Sequence, residues 1–183
     1  IPFGHTYLLY VGRLFQRKYP EDVVRAMKIA IDKDPSVIGL LAGDGPMRQE
    51  LEQLVASFGL DQKIIFLGNI DQEALSQMLP QCIILSPLTG MALIEAGLGG
   101  ASIVAYDRDW QAEFIKDNVN GFIVPFRDYD EMGNKALQLV QDQELRRRFS
   151  SEILKTALDL ADLDRVFKNQ QDVYEEMFEK FYA

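Results

Sequence analysis

Residues 85–96 have the sequence Leu-Ser-Pro-Leu-Thr-Gly-Met-Ala-Leu-Ile-Glu-Ala, and this stretch decides the fold. An apolar run at residues 82–85 predicts a buried strand, which Ser86, Pro87 and Gly90 then interrupt. From Met91 onward the apolar residues recur with the period of a helix. A strand, a turn of small residues and a helix, in that order, direct free backbone N–H groups and the positive end of the helix dipole towards an anion.

Glu95 follows about one turn inside the predicted helix, on an otherwise apolar segment. A carboxylate in such surroundings needs a polar partner, and a hydroxyl-rich ligand beside a bound phosphate would supply one. The alternative is a helix that only packs on a sheet, with Glu95 hydrated at its edge. The stretch by itself leaves both alternatives open.

The composition is that of an ordinary globular protein with one domain, residues 1–183. Hydrophobic residues make up 48% of the chain and charged residues 26%. The formal net charge of -9 argues against a DNA or RNA partner, because proteins that bind nucleic-acid backbones are usually basic. A nucleotide stays compatible with this charge, since it needs only a few local cations.

Single cysteine and histidine residues limit the possible chemistry. Cys82 falls in a predicted buried strand, so we expect no disulfide and a reducing, cytoplasmic compartment. His5 precedes the first predicted strand, and no second His or Cys lies near it in sequence. Neither a metal site nor a catalytic triad is therefore predicted.

The ends and the hydropathy of the chain add two expectations. No apolar run approaches the ~20 residues of a membrane span. The chain begins at Ile1, with no initiator methionine and no signal-peptide pattern, and it enters a predicted strand almost at once. We interpret it as a fragment of a longer protein.

Six short apolar runs alternate with helical patterns along most of the chain. They lie at Thr6–Val11, Val37–Ala42, 63–67, 82–85, 102–105 and Phe122–Val124. Strands that are each followed by a helix predict an α/β, Rossmann-like doubly wound parallel sheet with helices on both faces. Three further helices are predicted from Asp128, from Gln143 and from about Asp164, the last in a C-terminal segment, residues 159–183.

Four loops follow the first four strands of this predicted sheet. They are residues 12–18, 43–46, 68–70 and 86–90, and three of them have glycine next to the strand end. Ligands of doubly wound sheets bind beyond the carboxyl ends of the strands, at a topological switch point. Glycine at these positions indicates a sharp turn or a close approach of the backbone to a ligand.

Arg13 and Lys18 are two of the three cations in the first of these loops. Their spacing would let both converge on one diphosphate, although a loop cation is more often an ordinary surface residue. The sequence has neither G-x-G-x-x-G after the first strand nor G-x-x-x-x-G-K-[ST], which disfavours a dehydrogenase and a P-loop NTPase. The basic run at residues 146–148 is interpreted as a hydrated helix face.

Five motifs occur in order along the chain. They are Gly12-Arg13-Leu14 with Lys18, Gly43-Asp44-Gly45-Pro46, Phe66-Leu67-Gly68-Asn69-Ile70, Ile94-Glu95-Ala96, and Asn120-Gly121-Phe122-Ile123-Val124-Pro125. Together they resemble the C-terminal, nucleotide-sugar-binding domain of retaining GT-B glycosyltransferases of the family four type, the glycosyl transferases group 1. The resemblance covers residues 6 to about 158.

The resemblance implies a metal-independent hexosyltransferase-like enzyme that transfers a glycosyl group with retention. The donor would be a nucleoside-diphosphate sugar such as a UDP or GDP sugar, with no further cofactor. An N-terminal half, missing from this chain, would bind the acceptor, so the isolated domain would be inactive. Polysaccharide biosynthesis, a cytoplasmic location and peripheral association with the inner membrane face through that half are the wider expectations.

The resemblance also implies roles for ten residues. Arg13 and Lys18 would act in catalysis by holding the donor diphosphate, and no residue would bind a metal. Glu95 would bind the ribose hydroxyls. The other donor-binding residues would be Gly12, Asn69, Ile70, Thr89, Gly90, Met91 and Ala92, with Asn69 and Ile70 beside the base and the backbone N–H groups of Gly90 and Met91 at the diphosphate.

The sequence departs from the family pattern at three places. Pro87 replaces a glutamate that commonly precedes the Glu95 position by eight residues, and Tyr19 replaces a glycine after the lysine. Trp110 stands where relatives often have a small-residue turn, and it would either stack on the donor or pack on the sheet. Two alternatives stay open: a nucleotide-sugar epimerase of the same architecture, or a degenerate, non-catalytic nucleotide-binding or scaffold domain, which Pro87 favours.

Overall fold

The computed structural model describes residues 5–88 and 90–161 of the chain. Six strands form one sheet in this part. They are β1 (Thr6–Val11), β2 (Val37–Ala42), β3 (Ile64–Gly68), β4 (Cys82–Ser86), β5 (Ser102–Tyr106) and β6 (Phe122–Val124). The strands are short, and β1, β2, β4 and β5 are largely buried, as expected for a sheet that is covered on both faces.

The strand order is β3-β2-β1-β4-β5-β6, and every neighbouring pair is parallel. The chain moves outward from β1 to β3, then returns to the centre and pairs β4 with the other side of β1. The registers Tyr7↔Cys82 and Leu9↔Ile84 fix that pairing. The switch point therefore lies between β1 and β4, where a doubly wound sheet opens a crevice at its carboxyl edge.

Seven helices complete the described part. They are α1 (Pro20–Lys33), α2 (Arg48–Ser57), α3 (Gln72–Met78), α4 (Met91–Leu98), α5 (Gln111–Phe114), α6 (Tyr129–Gln141) and α7 (Gln143–Ala161), with 3-10 turns at Gln16–Lys18 and Leu79–Gln81. Helices α1, α2 and α6 pack in one core cluster and α3, α4 and α5 in the other, while α7 contributes to both.

Alternate residues of β1 separate these two clusters. Leu8 and Tyr10 belong to one, whereas Tyr7 and Leu9 belong to the other. This is the two-residue period of a strand between two layers of helices. The α/β, Rossmann-like parallel sheet with helices on both faces is thus confirmed.

The predicted boundaries differ from the observed ones by one residue at three strands. The third strand is shifted by one position, and β4 and β5 each extend by one residue, to Ser86 and Tyr106. Of the predicted C-terminal segment, residues 159–161 are the end of α7, and the helix from about Asp164 lies outside the described residues. Within the described ranges, no helix is both long and apolar enough to cross a membrane.

Candidate active site

A cleft of about 420 Å³ lies at the carboxyl edge of the sheet, between β1 and β4. The structure brings six of the predicted site residues together in its lining. They are Gly12, Arg13, Lys18, Gly90, Met91 and Ala92. Two segments carry the walls of the cleft. Residues 12–19, here named the β1 wall, contribute Gly12, Arg13 and Lys18 to the lining, and residues 86–88 and 90–93 are here named the α4 wall.

Backbone hydrogen bonds join the β1 wall to the loop after β2. The Gly12 amide donates to Ala42 O at 2.9 Å, and the Leu14 amide donates to Asp44 O at 3.0 Å. Gly43 permits this contact, because it has φ +139° and a Cβ there would lie 1.9 Å from Gly12 O. Gly43 therefore allows a close approach between two loops.

Arg13 stands on this wall with its side chain exposed. The Tyr10 hydroxyl donates to Arg13 O at 2.9 Å, and the Arg13 guanidinium carbon lies 4.6 Å from the centre of the Phe15 ring. Burial raises the pKa of Tyr10, so its hydroxyl keeps the proton that it donates. The backbone of Arg13 is thus held by Tyr10 of β1, and its side chain contacts Phe15 of the same wall.

Lys18 ends the 3-10 turn Gln16–Lys18, and Tyr19 follows it in the left-handed conformation, with φ 51° and ψ 44°. The Lys18 amide donates to Phe15 O at 2.8 Å, which closes the turn. Helix α1 then begins at Pro20. This reversal of the chain places Lys18 in the lining of the cleft beside Arg13.

The α4 wall presents the start of a helix. Gly90 is the N-cap of α4 and gives no side-chain cap, and the amides of Met91 and Ala92 have no acceptor inside the helix because they lie in its first turn. Gly90 is extended, with φ 174°, and a Cβ there would meet nothing within 4 Å. Unlike Gly43, Gly90 is not required by packing, and it leaves open space beside these amides.

A buried polar link that sequence reasoning missed supports the α4 wall. The Ser86 hydroxyl donates to Gln111 Oε1 at 2.9 Å, and Gln111 Nε2 donates to Tyr106 O at 2.9 Å. Gln111 is fully buried. The link ties the turn after β4 to the end of β5, and no local pattern in the sequence signals it because its partners are 25 residues apart.

Asn69 and Ile70 line a second cavity, of about 210 Å³, which shares Val11, Gly12 and Arg13 with the cleft. Glu95 is half-buried and lines neither cavity, and no hydrogen bond or ion pair joins its carboxylate to another described residue. Thr89 lies outside the described residues.

The three departures from the family pattern also have places in the structure. Pro87 is buried and lines the cleft, so the wall has no carboxylate at that position. Trp110 packs edge-to-face on Phe114, with ring centres 6.3 Å apart, and lines neither cavity. Tyr19 adopts the left-handed conformation that glycine favours.

Other charged groups lie away from the cleft. His5 precedes β1, and its ring nitrogen Nδ1 lies 2.9 Å from Ser36 O. In the basic run, Arg147 and Arg148 are exposed, but Arg146 is partly buried and donates to Leu139 O at 3.2 Å; burial lowers its pKa, helped by Arg147. Residues 5–88 and 90–161 contain no group of three or more His, Cys, Asp or Glu placed to hold a metal ion.

Comparisons with known proteins identify the protein family. The family described as glycosyl transferases group 1 matches residues 2–156. Among curated proteins, the alpha-D-kanosaminyltransferase of Streptomyces kanamyceticus is 28% identical over 148 residues. The match covers 78% of this chain but only 38% of that relative, so the chain spans well under half of its length.

Solved structures with a similar fold are glycosyltransferases as well. A mutant of S. aureus TarM, in complex with Fondaparinux, alpha-GlcNAc-glycerol and UDP, has a TM-score of 0.84 at 19% identity, over 93% of this chain and 36% of that chain. The pneumococcal O-GlcNAc transferase GtfA, in complex with UDP and GlcNAc, has a TM-score of 0.80 at 23% identity, over 94% and 36%. At these identities the likeness shows the fold alone.

Proposed function

The chain belongs to the family of glycosyl transferases group 1, and on that premise we propose that it is the donor-binding domain of a GT-B glycosyltransferase. The cleft between β1 and β4 binds a nucleoside-diphosphate sugar. In the whole protein the glycosyl group passes to an acceptor with retention of configuration and without a metal ion.

The observation that carries this proposal is the pairing of two unlike walls around one cleft. Arg13 and Lys18 stand on one wall, and the uncapped amides at the start of α4 stand on the other. Both are groups that bind phosphate oxygens, the first by charge and the second by backbone donors and the helix dipole. A diphosphate fits between them, in a chain whose net charge of -9 would otherwise repel it.

The chemistry assigned to these residues is electrostatic. As the glycosyl bond breaks, negative charge grows on the leaving diphosphate. Arg13, Lys18 and the amides of Gly90 and Met91 stabilise it, and they are already in place before the reaction. This charge compensation takes the role that a divalent cation has in metal-dependent transferases, which is why we assign a metal-independent reaction.

The rest of the donor extends from the diphosphate on both sides. The base lies towards Asn69 and Ile70, whose cavity adjoins the cleft through Gly12 and Arg13. We assign the ribose hydroxyls to Glu95, whose carboxylate has no partner among the described residues and which lies one turn after Met91 in α4. The presence of UDP in the related TarM and GtfA complexes supports a nucleoside-diphosphate ligand.

The whole protein's activity rests on parts beyond this domain. We propose that a second, acceptor-binding domain completes the cleft, that this chain alone does not transfer sugar, and that the enzyme works in the cytoplasm at the inner membrane face. One observation favours a second candidate, a non-catalytic nucleotide-binding domain: Pro87 occupies the cleft wall where relatives of this type have a carboxylate.

Calorimetric titration of the 183-residue chain tests the proposal. UDP, GDP, UDP-glucose and uridine are titrated in buffer with EDTA. We expect a diphosphate to bind and uridine to bind far more weakly, with no loss of affinity in EDTA. Absence of binding for every diphosphate, or binding that needs Mg²⁺, would contradict the assignment. Transfer of sugar by this chain alone, measured through the release of UDP, would contradict the proposed inactivity of the isolated domain.

A further inference from the structure

Two residues other than glycine adopt the left-handed conformation and contact each other, and one of them directly follows Lys18 of the cleft lining. Tyr19 has φ 51° and Arg127 has φ 67°. The guanidinium carbon of Arg127 lies 4.7 Å from the centre of the Tyr19 ring. This conformation is unfavourable for a residue with a Cβ, so it persists only where surrounding contacts stabilise it.

A buried carboxylate holds Arg127 in place. Arg127 Nε donates to Asp22 Oδ2 and Nη2 donates to Asp22 Oδ1, both at 3.0 Å. The Tyr106 hydroxyl donates to the same Oδ2 at 3.1 Å, and Asp22 is 1% exposed. The hydrogen bonds to Asp22 raise the pKa of Arg127, and burial raises the pKa of Tyr106, so both stay donors.

The Tyr19 ring has a second neighbour in the loop after β6. Phe126 meets it edge-to-face, with ring centres 5.3 Å apart, and also meets Tyr106 at 5.8 Å. Tyr19 therefore contacts a guanidinium and a phenyl ring that both belong to residues more than one hundred positions later. Charge and ring contacts of this kind favour one orientation of the ring.

The backbone of Tyr19 governs the place of Lys18. The Tyr19 amide donates to Gln16 O at 3.0 Å, and Tyr19 O accepts from the Asp22 amide at 3.1 Å. Tyr19 is thus both the end of the 3-10 turn and the start of α1. A change of its φ and ψ would turn Lys18 to another direction relative to α1.

We propose that Tyr19, held by Arg127 and Phe126, is a positioning residue that fixes Lys18 for the donor diphosphate. A glycine at position 19 would adopt the left-handed conformation without support from other residues. In this chain the conformation is stabilised instead by contacts of the Tyr19 side chain with the loop after β6. The inference rests on the proposed function, because it takes Lys18 to be a diphosphate ligand. It adds a role for Tyr19 and Arg127 that the family pattern does not contain.

Four variants of the 183-residue chain test this role by UDP titration. Tyr19→Asn keeps a residue that tolerates the left-handed conformation but removes the ring. Tyr19→Phe keeps the ring, Lys18→Ala removes the ammonium group, and the fourth variant combines Tyr19→Asn with Lys18→Ala. We expect Tyr19→Asn to weaken UDP binding about 3- to 10-fold and Tyr19→Phe to bind like the wild type.

The double variant separates positioning from general structure. With Lys18 already replaced, Tyr19→Asn should cause no further loss, because its effect acts through that side chain. Asn118→Gly is the matched control, since Asn118 is also left-handed, with φ 59°, but, unlike Tyr19, does not adjoin a residue of the cleft lining. It should leave the UDP affinity unchanged. Urea unfolding of each variant verifies that the protein compared is folded.

The outcomes distinguish failure of this inference from failure of the proposed function. If Lys18→Ala binds UDP like the wild type, the proposed site is wrong. The positioning role is wrong if Lys18→Ala weakens UDP binding but Tyr19→Asn does not. It is also wrong if Tyr19→Asn lowers the UDP affinity by the same factor whether residue 18 is lysine or alanine. Should Tyr19→Asn fail to fold, Arg127→Lys replaces it: the charge beside Asp22 stays, the planar group over the ring is lost, and a similar weakening is expected.

Discussion

The two walls of the cleft are held in different ways. The β1 wall is fastened by side chains from outside it: Tyr19 contacts Phe126 and Arg127 of the loop after β6, and the Tyr10 hydroxyl of β1 donates to Arg13 O. The α4 wall is a helix start supported by one buried link, from Ser86 to Gln111. The difference follows from the kind of group that each wall presents to the cleft. A helix orients its own amides, whereas the loop that carries Lys18 is held by contacts with residues outside it.

The largest expected effect concerns the support of the β1 wall. Asp22→Ala removes the acceptor of two hydrogen bonds from Arg127 and one from Tyr106. We expect the free energy of unfolding to fall by about 3 kcal/mol, because the buried Tyr106 hydroxyl loses its acceptor and Arg127 keeps only its longer ion pair with Glu21, at 3.7 Å. Urea denaturation measures it. Asp32→Ala, which removes only an exposed ion pair with Lys28, should change stability by less than about 0.5 kcal/mol.

Alanine substitutions at two glycines test the comparison of the walls. Gly43→Ala should destabilise the fold by roughly 2 kcal/mol or more, since φ is +139° and the added Cβ would overlap Gly12 O. Gly90→Ala should stay within about 0.5 kcal/mol of the wild type in stability. Its methyl group enters open space beside the amides of α4, so UDP binding should weaken instead. Equal stability losses in the two variants would show that Gly90 is a packing residue as well.

The charge on the β1 wall is tested by Arg13→Ala and Lys18→Ala. Each should weaken diphosphate binding by about 1–3 kcal/mol, the range for hydrogen bonds to charged groups, with uridine almost unaffected. Lys116→Ala serves as the control, because this exposed lysine donates to Ala112 O and lies outside the cleft lining. Unchanged UDP affinity in both cleft variants would mean that the two cations are ordinary surface residues.

The smallest expected effect belongs to Glu95. Glu95→Gln should weaken UDP binding by about 1 kcal/mol and leave the unfolding free energy nearly unchanged, because no described residue hydrogen-bonds this carboxylate. Removing the ribose 2′-hydroxyl from UDP should affect the wild type more than the variant. A loss of stability in Glu95→Gln, with unchanged affinity for UDP, would indicate that the Glu95 carboxylate has a structural role. If removal of the 2′-hydroxyl weakens UDP binding equally in the wild type and in Glu95→Gln, Glu95 does not contact the ribose.

Local patterns in the sequence predicted the parts of this molecule that are built locally. Strand positions came from apolar runs and were correct to one residue, and the glycine at position 90 marked the start of α4. The convergence of Arg13, Lys18 and Gly90 on one cleft followed from the rule that parallel strands carry their sites at the carboxyl edge. These inferences need only the order of elements and the handedness of their connections.

Contacts between distant residues were not predictable in the same way. The Asp22–Arg127 ion pair spans 105 positions, and the Ser86–Gln111 link spans 25. A carboxylate in the first turn of a helix is also a common helix-start residue, so Asp22 carried no special signal. Tyr19 was noticed only as a replacement for glycine, and its left-handed backbone became visible with the contacts that stabilise it. For Gly43 the sequence left a sharp turn and a close approach to a ligand both open, because the packing of its loop against Gly12 has no local pattern.

Backbone amide NMR of the ¹⁵N-labelled chain tests the central claim most directly, since that claim places a diphosphate between the β1 wall and the α4 wall. Addition of UDP should cause its largest shifts at the amides of Gly12, Gly90, Met91 and Ala92, and uridine at the same concentration should leave these amides almost unmoved. Largest shifts at the opposite edge of the sheet, such as at Ser102 and Arg147, or equal responses to UDP and uridine, would contradict the account.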